Sequence, residues 1–259
     1  MIKFKNILIL ILTLFISLLF DTGYAQNGLS SFAEGLPALK IESNGEAETT
    51  YSLSLQILAL MTGLTLLPSI VLGATSFTRI IIVLSILRQA MGTQQTPPNQ
   101  VLIAIALFLT FFIMTPTLTE INRTALDPYL EGELPAKTAL STGSNTLKDF
   151  LVKNTRENDL SMFTDLIGDK GYDDHRDIPL TVILPAFITS ELKTAFQIGF
   201  LLFLPFLVID MVIASILMSL GMMMLSPMLV ALPFKLLLFV LVDGWAMTVG
   251  SLVATYASN

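Results

Sequence analysis

Residues 179–220 read PLTVILPAFITSELKTAFQIGFLLFLPFLVIDMVIASILMSL, and this apolar stretch carries only three charged side chains. As a single α-helix it would measure about 63 Å, twice the ~30 Å thickness of the hydrocarbon core of a bilayer. The stretch therefore either breaks at Pro185 and Pro205 or extends beyond the membrane into space covered by protein. Because bare apolar helices are not stable in water, an extended helix would need partner subunits, which favours a self-associating assembly.

The composition of the whole chain also indicates a membrane protein. Of 259 residues 53% are hydrophobic and 13% are charged, whereas about a quarter of a soluble domain is charged. The sequence has no cysteine, which excludes disulfides and thiolate metal sites, and its single histidine, His175, leaves little for metal or acid–base chemistry. The net charge of −6, without a basic stripe, argues against nucleic acid as a partner.

The first 25 residues have the pattern of a signal peptide. Lys3 and Lys5 precede the apolar run Ile7–Phe20, and small residues stand at positions 23 and 25, just before Gln26. This pattern predicts cleavage before Gln26 and a mature N-terminus outside the cytoplasm. The alternative is an uncleaved first transmembrane helix.

The rest of the chain alternates between apolar and polar regions. The predicted parts are a polar lead-in (26–50), a first helical hairpin (51–119), an acidic periplasmic helical subdomain (120–178) and a second helical hairpin with a methionine-rich loop (179–259). Four apolar segments place the acidic part outside, and short inside loops containing Arg79 and Arg88 agree with the positive-inside tendency. The predicted fold class is all-α: an integral membrane protein of long kinked helical hairpins with a small extracytoplasmic helical subdomain.

Several charged residues lie in apolar surroundings: Arg79, Arg88, Glu191, Lys193, Asp210, Lys235 and Asp243. Each would cost about 2.5–3.5 kcal/mol at a lipid-facing helix centre, so such groups usually pair or line a water-filled path. For Arg88 and Lys193, side chains that reach the interface from helix ends are an equal alternative. For Glu191, Asp210 and Lys235, an ion pair between helices or subunits is favoured over a catalytic role.

The sequence lacks every common catalytic or nucleotide-binding motif, so we expect neither an enzyme nor a cofactor. An intramembrane aspartyl protease built from Asp210 and Asp243 is disfavoured, because no second feature supports it. The stronger rival is a small-molecule or ion transporter, proton-coupled, with Asp210, Glu191 and Lys235 as a relay.

Three consecutive methionines, Met222, Met223 and Met224, stand between Gly221 and Pro227 in the segment LGMMMLSP. Adjacent helical residues point about 100° apart, so the three cannot all face one core. A Cu(I) site made of thioethers alone is disfavoured. Methionine adapts its shape to its contacts, and several copies around an axis could close a hole yet yield to a passing chain.

Three long segments closely resemble the FliP family of the flagellar type III protein export gate. They are ILRQAMGTQQTPPNQVLIAIALFLTFFIMTP (86–116), PAFITSELKTAFQIGF (185–200) and PFKLLLFVLVDGW (233–245). The resemblance extends from about residue 51 to residue 256. Injectisome secretion systems have related proteins, and flagellar members commonly carry a signal peptide.

The resemblance implies an architecture and a set of partners. It implies a pentamer that joins FliQ-like and FliR-like subunits and other export apparatus proteins in the inner membrane at the flagellar basal body. Much of that core would be raised toward the periplasm, and unfolded flagellar proteins would pass through its centre. The methionines would line a constriction. Subunit packing or ion pairs would involve Glu191, Lys235, Asp210, Asp243, Arg79, Phe150 and Phe163.

Overall fold

The computed structural model describes Leu58 and residues 61–66, 68–93, 95–168, 172, 174, 176–222 and 225–257. The predicted signal peptide (1–25) and polar lead-in (26–50) lie outside these residues. All regular secondary structure in the described part is helical, which confirms the all-α class. The helices are α1 (Phe77–Ala90), α2 (Asn99–Ile121), α3 (Asp127–Leu130), α4 (Ala136–Lys153), α5 (Glu157–Leu166), α6 (Leu180–Ser219), α7 (Pro227–Leu241) and α8 (Gly244–Ala257). One π-helical turn, Asn122–Leu126, joins α2 to α3.

Helix α6 is the central element, and it runs for 40 residues without a break. Pro185 and Pro205 both lie inside it, so of the two alternatives for this stretch the helix continues rather than breaks. Prolines are tolerated in apolar helices because the surroundings favour a continuous helix even where one backbone hydrogen bond is missing. At 1.5 Å per residue α6 is about 60 Å long.

The chain instead bends between helices. Helical residues 61–66 and 68–73 meet α1 at 64°. This bend follows residue 73. Pro68, a residue type that commonly breaks helices, is itself helical. The hydroxyls of Thr75 and Thr78 both donate to the Leu72 carbonyl, which supplies donors at the end of the first helical segment.

The second bend, of 62°, lies between α7 and α8 at the DGW phrase. Asp243 has φ +49°, a left-handed conformation that aspartate adopts more readily than most residues. The next residue has to be glycine, because a Cβ on Gly244 would overlap the Phe239 ring. Asp243 and Gly244 therefore form a tight bend between α7 and α8.

Packing is organised around α6, which contacts α1, α4, α5 and α7. One apolar cluster joins α1 to α2 and contains the fully buried Ile80 and Leu84. A second joins α4 and α6 around Phe187, and a third gathers Phe206 and Phe239 at the end of α1. The acidic segment 120–178 thus contributes α4 and α5 to a shared core with α6.

Two helices are long and apolar enough to cross a membrane: Asn99–Leu130, which includes α2 and α3, and α6. The two bent pairs raise the number of candidate spans to four within the described residues. Only 11% of the most apolar window of α6 is buried within the chain. This part of α6 therefore requires lipid or other protein chains around it.

Candidate functional site: a methionine turn and two buried ion pairs

The methionine turn, residues 220–226, connects α6 to α7. Gly221 has φ +73°; its N–H donates to the Met218 carbonyl, and the Met222 N–H donates to the Leu217 carbonyl, both at 3.0 Å. This is a Schellman ending, which requires the left-handed conformation that glycine adopts without strain. Pro227 then begins α7, where its missing N–H has no cost. Met222 is 45% exposed; Met223 and Met224 lie outside the described residues.

The first buried ion pair joins Arg79 of α1 to Glu191 of α6. The Arg79 Nε donates to Glu191 Oε2 at 2.8 Å, and its Nη2 donates to the other carboxylate oxygen. Tyr256 of α8 also donates its hydroxyl to this carboxylate, and Arg79 Nη1 donates to the Thr255 hydroxyl at 3.0 Å. Both charged side chains are at least 96% buried. A bidentate pair with further hydrogen bonds is the arrangement in which buried charges are tolerated.

The position of Arg79 differs from the sequence expectation. We expected a short inside loop, but Arg79 lies within α1 and is buried. Its partner is 112 residues away in the sequence, so no local pattern could reveal the pair. Neutralisation by Glu191 is the physical reason that a helix interior can contain this guanidinium.

The second ion pair joins Lys235 of α7 to Asp210 of α6, with 2.6 Å between Nζ and Oδ2. The ammonium also donates to the Ala90 carbonyl at 3.1 Å. This carbonyl ends α1, where the negative end of the helix dipole favours a cation. Lys235 is almost fully buried, whereas the Asp210 side chain is 38% exposed. The pair therefore connects three helices near the edge of the apolar core.

Replacing Lys235 with methionine should lower the free energy of unfolding by about 1–2 kcal/mol, because a charge-assisted hydrogen bond is lost. The expected loss is moderate because the Asp210 side chain is 38% exposed at the surface of the chain and is not enclosed as Glu191 is. Denaturation of the detergent-extracted protein in mixed micelles, followed by circular dichroism, measures the change.

Lys193→Met is the matched control for Lys235→Met. Lys193 is half exposed, and its Nζ lies 4.0 Å from Asp159, a geometry that contributes at most about 1 kcal/mol. Equal losses of stability for the two variants would contradict a larger contribution from the buried ion pair of Lys235.

The remaining predicted residues are distributed as follows. Asp243 is exposed at the α7–α8 bend and forms no ion pair with any described residue. Asp210 therefore faces Lys235 rather than a second aspartate. Phe150 and Phe163 pack into the cluster around Phe187 within this chain. Their contact with other subunits stays a prediction.

Sequence reasoning missed a polar contact between α5 and α6. The backbone N–H of Arg156 donates to the Ser190 hydroxyl at 2.8 Å, and this hydroxyl donates to Asp159 at 2.7 Å. Asp159 is 7% exposed. The available signal was a serine beside Glu191 in an apolar helix, a residue that needs a partner when buried. Among the described residues, no three His, Cys, Asp or Glu side chains lie close enough together to hold a metal ion.

Comparison with known proteins agrees with these features. The sequence model of the FliP family matches residues 60–252. The flagellar biosynthetic protein FliP of Cereibacter sphaeroides is 69% identical over 222 residues, which cover 86% of this chain and 73% of that protein. The protein of that name from Pectobacterium carotovorum subsp. carotovorum is 49% identical, with 86% of each chain covered.

A third relative matches over nearly its whole length. The flagellar biosynthetic protein FliP of Bacillus subtilis (strain 168) is 50% identical over 218 residues, which cover 84% of this chain and 98% of that protein. Residues 60–252, which the family model matches, contain both ion pairs, the methionine turn and the DGW bend. The resemblance seen in the sequence is confirmed, and this chain belongs to the FliP family.

Proposed function

We propose that this chain is a pore-forming subunit of the flagellar type III protein export gate, which moves unfolded export substrates across the inner membrane during flagellum assembly. Membership of the FliP family supports a flagellar role, because the relatives are named flagellar biosynthetic proteins. The single observation that carries the assembly part is the 40-residue α6, whose most apolar window is only 11% buried within the chain.

The length of α6 argues for a multi-subunit assembly. Lipid covers about 30 Å of a helix, so about half of the length of α6 would lie beyond the hydrocarbon core. Exposed apolar side chains continue from Phe196 and Phe200 to Met218 and Leu220. This stretch measures about 36 Å, somewhat more than the hydrocarbon core covers, and further exposed apolar side chains lie on α7, among them Leu229 and Leu237, so we propose that partner chains cover what lipid does not. We infer several copies of the chain, five by family resemblance, together with FliQ-like and FliR-like subunits.

The methionine turn is the proposed constriction of the export channel. It lies at the end of the α6–α7 hairpin, between a Schellman ending and the first turn of α7, so its backbone is held at both sides. Its side chains are unbranched and deformable. A ring of such turns would close against solutes and yield to a polypeptide. Met222, which is half exposed, is the described member of this set.

The rival transporter function receives less support from the ion pairs. Glu191 is fully buried and both of its oxygens are occupied by Arg79 and Tyr256. A relay needs a path to solvent and a change of partner. The Asp210 side chain is partly exposed, but its carboxylate is paired with Lys235. We therefore assign both pairs to helix and subunit packing, and no enzymatic step to the chain.

The test of the constriction is a triple replacement of Met222, Met223 and Met224 by alanine. Shorter side chains should leave the closed channel open to small solutes, because about three heavy atoms are removed from each residue while the backbone is retained. The readouts are solute leakage in cells and the mass of the detergent-extracted complex. We expect leakage with an unchanged mass.

The matched control replaces three exposed methionines outside the turn, Met211, Met218 and Met228, by alanine. This variant should not leak. If the turn variant instead stayed tight and lost its assembled mass, the methionines would serve packing and not closure.

A further inference from the structure

Tyr256, in the last turn of α8, contacts side chains from three other helices. Its hydroxyl donates to Glu191 of α6. The guanidinium of Arg79 from α1 lies 3.9 Å from the centre of its ring. The Phe150 ring of α4 stacks with it, at 6.4 Å between centroids and 11° between planes. One side chain therefore receives a hydrogen-bond acceptor, a cation and an aromatic ring from separate helices.

The buried face of α8 is a narrow stripe, flanked by Val253, which packs on the cluster around Ile80, and by Trp245, whose ring contacts Phe239 edge-on. Its buried residues are Gly244, Thr248 and Leu252, which recur at four-residue intervals and so share one face. Tyr256 is the next position on that face. Gly244 has no side chain and the Thr248 hydroxyl donates back to the Gly244 carbonyl. Leu252 and Tyr256 are therefore the only large side chains on this stripe of α8.

The partners of Tyr256 connect distant parts of the fold. Phe150 belongs to α4, which lies in the acidic segment and packs on α6 through the Phe187 cluster. Helix α8 follows α7, and α7 begins directly after the methionine turn. Within the described residues, Tyr256 is the aromatic contact between α4 and the α7–α8 limb.

We propose that Tyr256 is a positioning residue that fixes α8 at the junction of α1, α4 and α6, and thereby couples the acidic helical segment to the α7–α8 limb. The ring supplies the stacking and cation–π contacts, and the hydroxyl donates a third hydrogen bond to the Glu191 carboxylate. Loss of the whole side chain releases α8 locally while the α1–α6–α7 core remains. This role of Tyr256 lies within one chain and does not depend on whether the chain forms a channel.

The natural sequence contains no cysteine, so a single introduced thiol can report local opening. Leu252→Cys places the reporter on the buried stripe of α8, and Phe206→Cys places a second reporter in the core cluster at the end of α1. A buried thiol reacts only when its surroundings open, so its labelling rate measures the population of the open state. The detergent-extracted full chain is treated with a membrane-permeant maleimide.

In a Tyr256→Ala background the labelling rate at position 252 should rise about tenfold or more, while the rate at position 206 changes less than about twofold. Tyr256→Phe retains the ring contacts and should keep position 252 within about threefold of the parent rate. Tyr129→Ala removes an exposed tyrosine and should leave both rates unchanged. Unchanged labelling at position 252 in Tyr256→Ala, or equal acceleration at both positions, would overturn the proposal.

Discussion

Replacing Arg79 with methionine is expected to lower the free energy of unfolding by about 3–5 kcal/mol, the largest loss of any single change considered for this chain. The substitution leaves the Glu191 carboxylate fully buried with only the Tyr256 hydroxyl as a donor. It also removes the bond to Thr255 and the contact with the Tyr256 ring. Denaturation in mixed detergent micelles, followed by circular dichroism, measures the loss.

The control for this prediction is a double-mutant cycle. Arg79→Met combined with Glu191→Met removes both charges at similar volume, and such double variants are often close to neutral. We expect the double variant to recover most of the lost stability. Arg123→Met disrupts an exposed pair with Glu120 and should cost less than about 1 kcal/mol. A double variant as unstable as Arg79→Met alone would show that geometry, and not the unpaired charge, determines the loss.

Replacing Gly199 with alanine is expected to lower the free energy of unfolding by about 2–3 kcal/mol, because overpacking forces neighbouring helices apart. Gly199 lies on the buried face of α6, and a Cβ there would overlap the side chain of Ile86 on α1. The overlap involves the branched part of Ile86 as well as its flexible end. Thermal denaturation of the detergent-extracted protein, at constant detergent concentration, measures the effect.

Two further variants separate overpacking from the general effect of alanine. Gly250→Ala adds the same atom in α8 where nothing lies within 4 Å, and should be neutral or stabilising by up to about 1 kcal/mol. Adding Ile86→Ala to Gly199→Ala removes the overlapping atoms and should recover more than half of the loss. If Gly250→Ala were as destabilising as Gly199→Ala, close approach of α1 and α6 would not be the cause.

The methionine turn shows how much a short segment can predict. Gly221 and Pro227 indicate the end of one helix and the start of the next, and α6 and α7 end and begin there. Such signals are readable because each depends on the backbone of its own residue. The directions of the three methionine side chains in an assembly depend on neighbouring copies of the chain. The sequence of one chain does not determine where those copies lie.

The proline positions show the opposite case. Local rules allow breaks at Pro68, Pro185 and Pro205, but all three residues are themselves helical. The apolar environment favours internal hydrogen bonding of the backbone so strongly that a helix continues past a proline. The observed bends lie instead at residues 74–76 and at Asp243–Gly244. At the second bend, close packing against Phe239 and the left-handed backbone of Asp243 are the physical cause.

The sequence by itself determined the class of the molecule. Composition and apolar run length established a helical membrane protein, and long motifs established the FliP family. Sequence reasoning also found the charged residues that need partners, among them Arg79, Glu191, Asp210 and Lys235, because an isolated charge in an apolar run is costly wherever it lies.

Only the tertiary structure decided which groups meet. Arg79 pairs with Glu191 across 112 residues, and Tyr256 reaches the same carboxylate across 65. Helical periodicity carries information over a few turns, whereas the choice of a distant partner depends on how α1, α6 and α8 pack together. That packing is set by side-chain volumes such as those of Gly199 and Ile86, and these act only when the helices are already side by side.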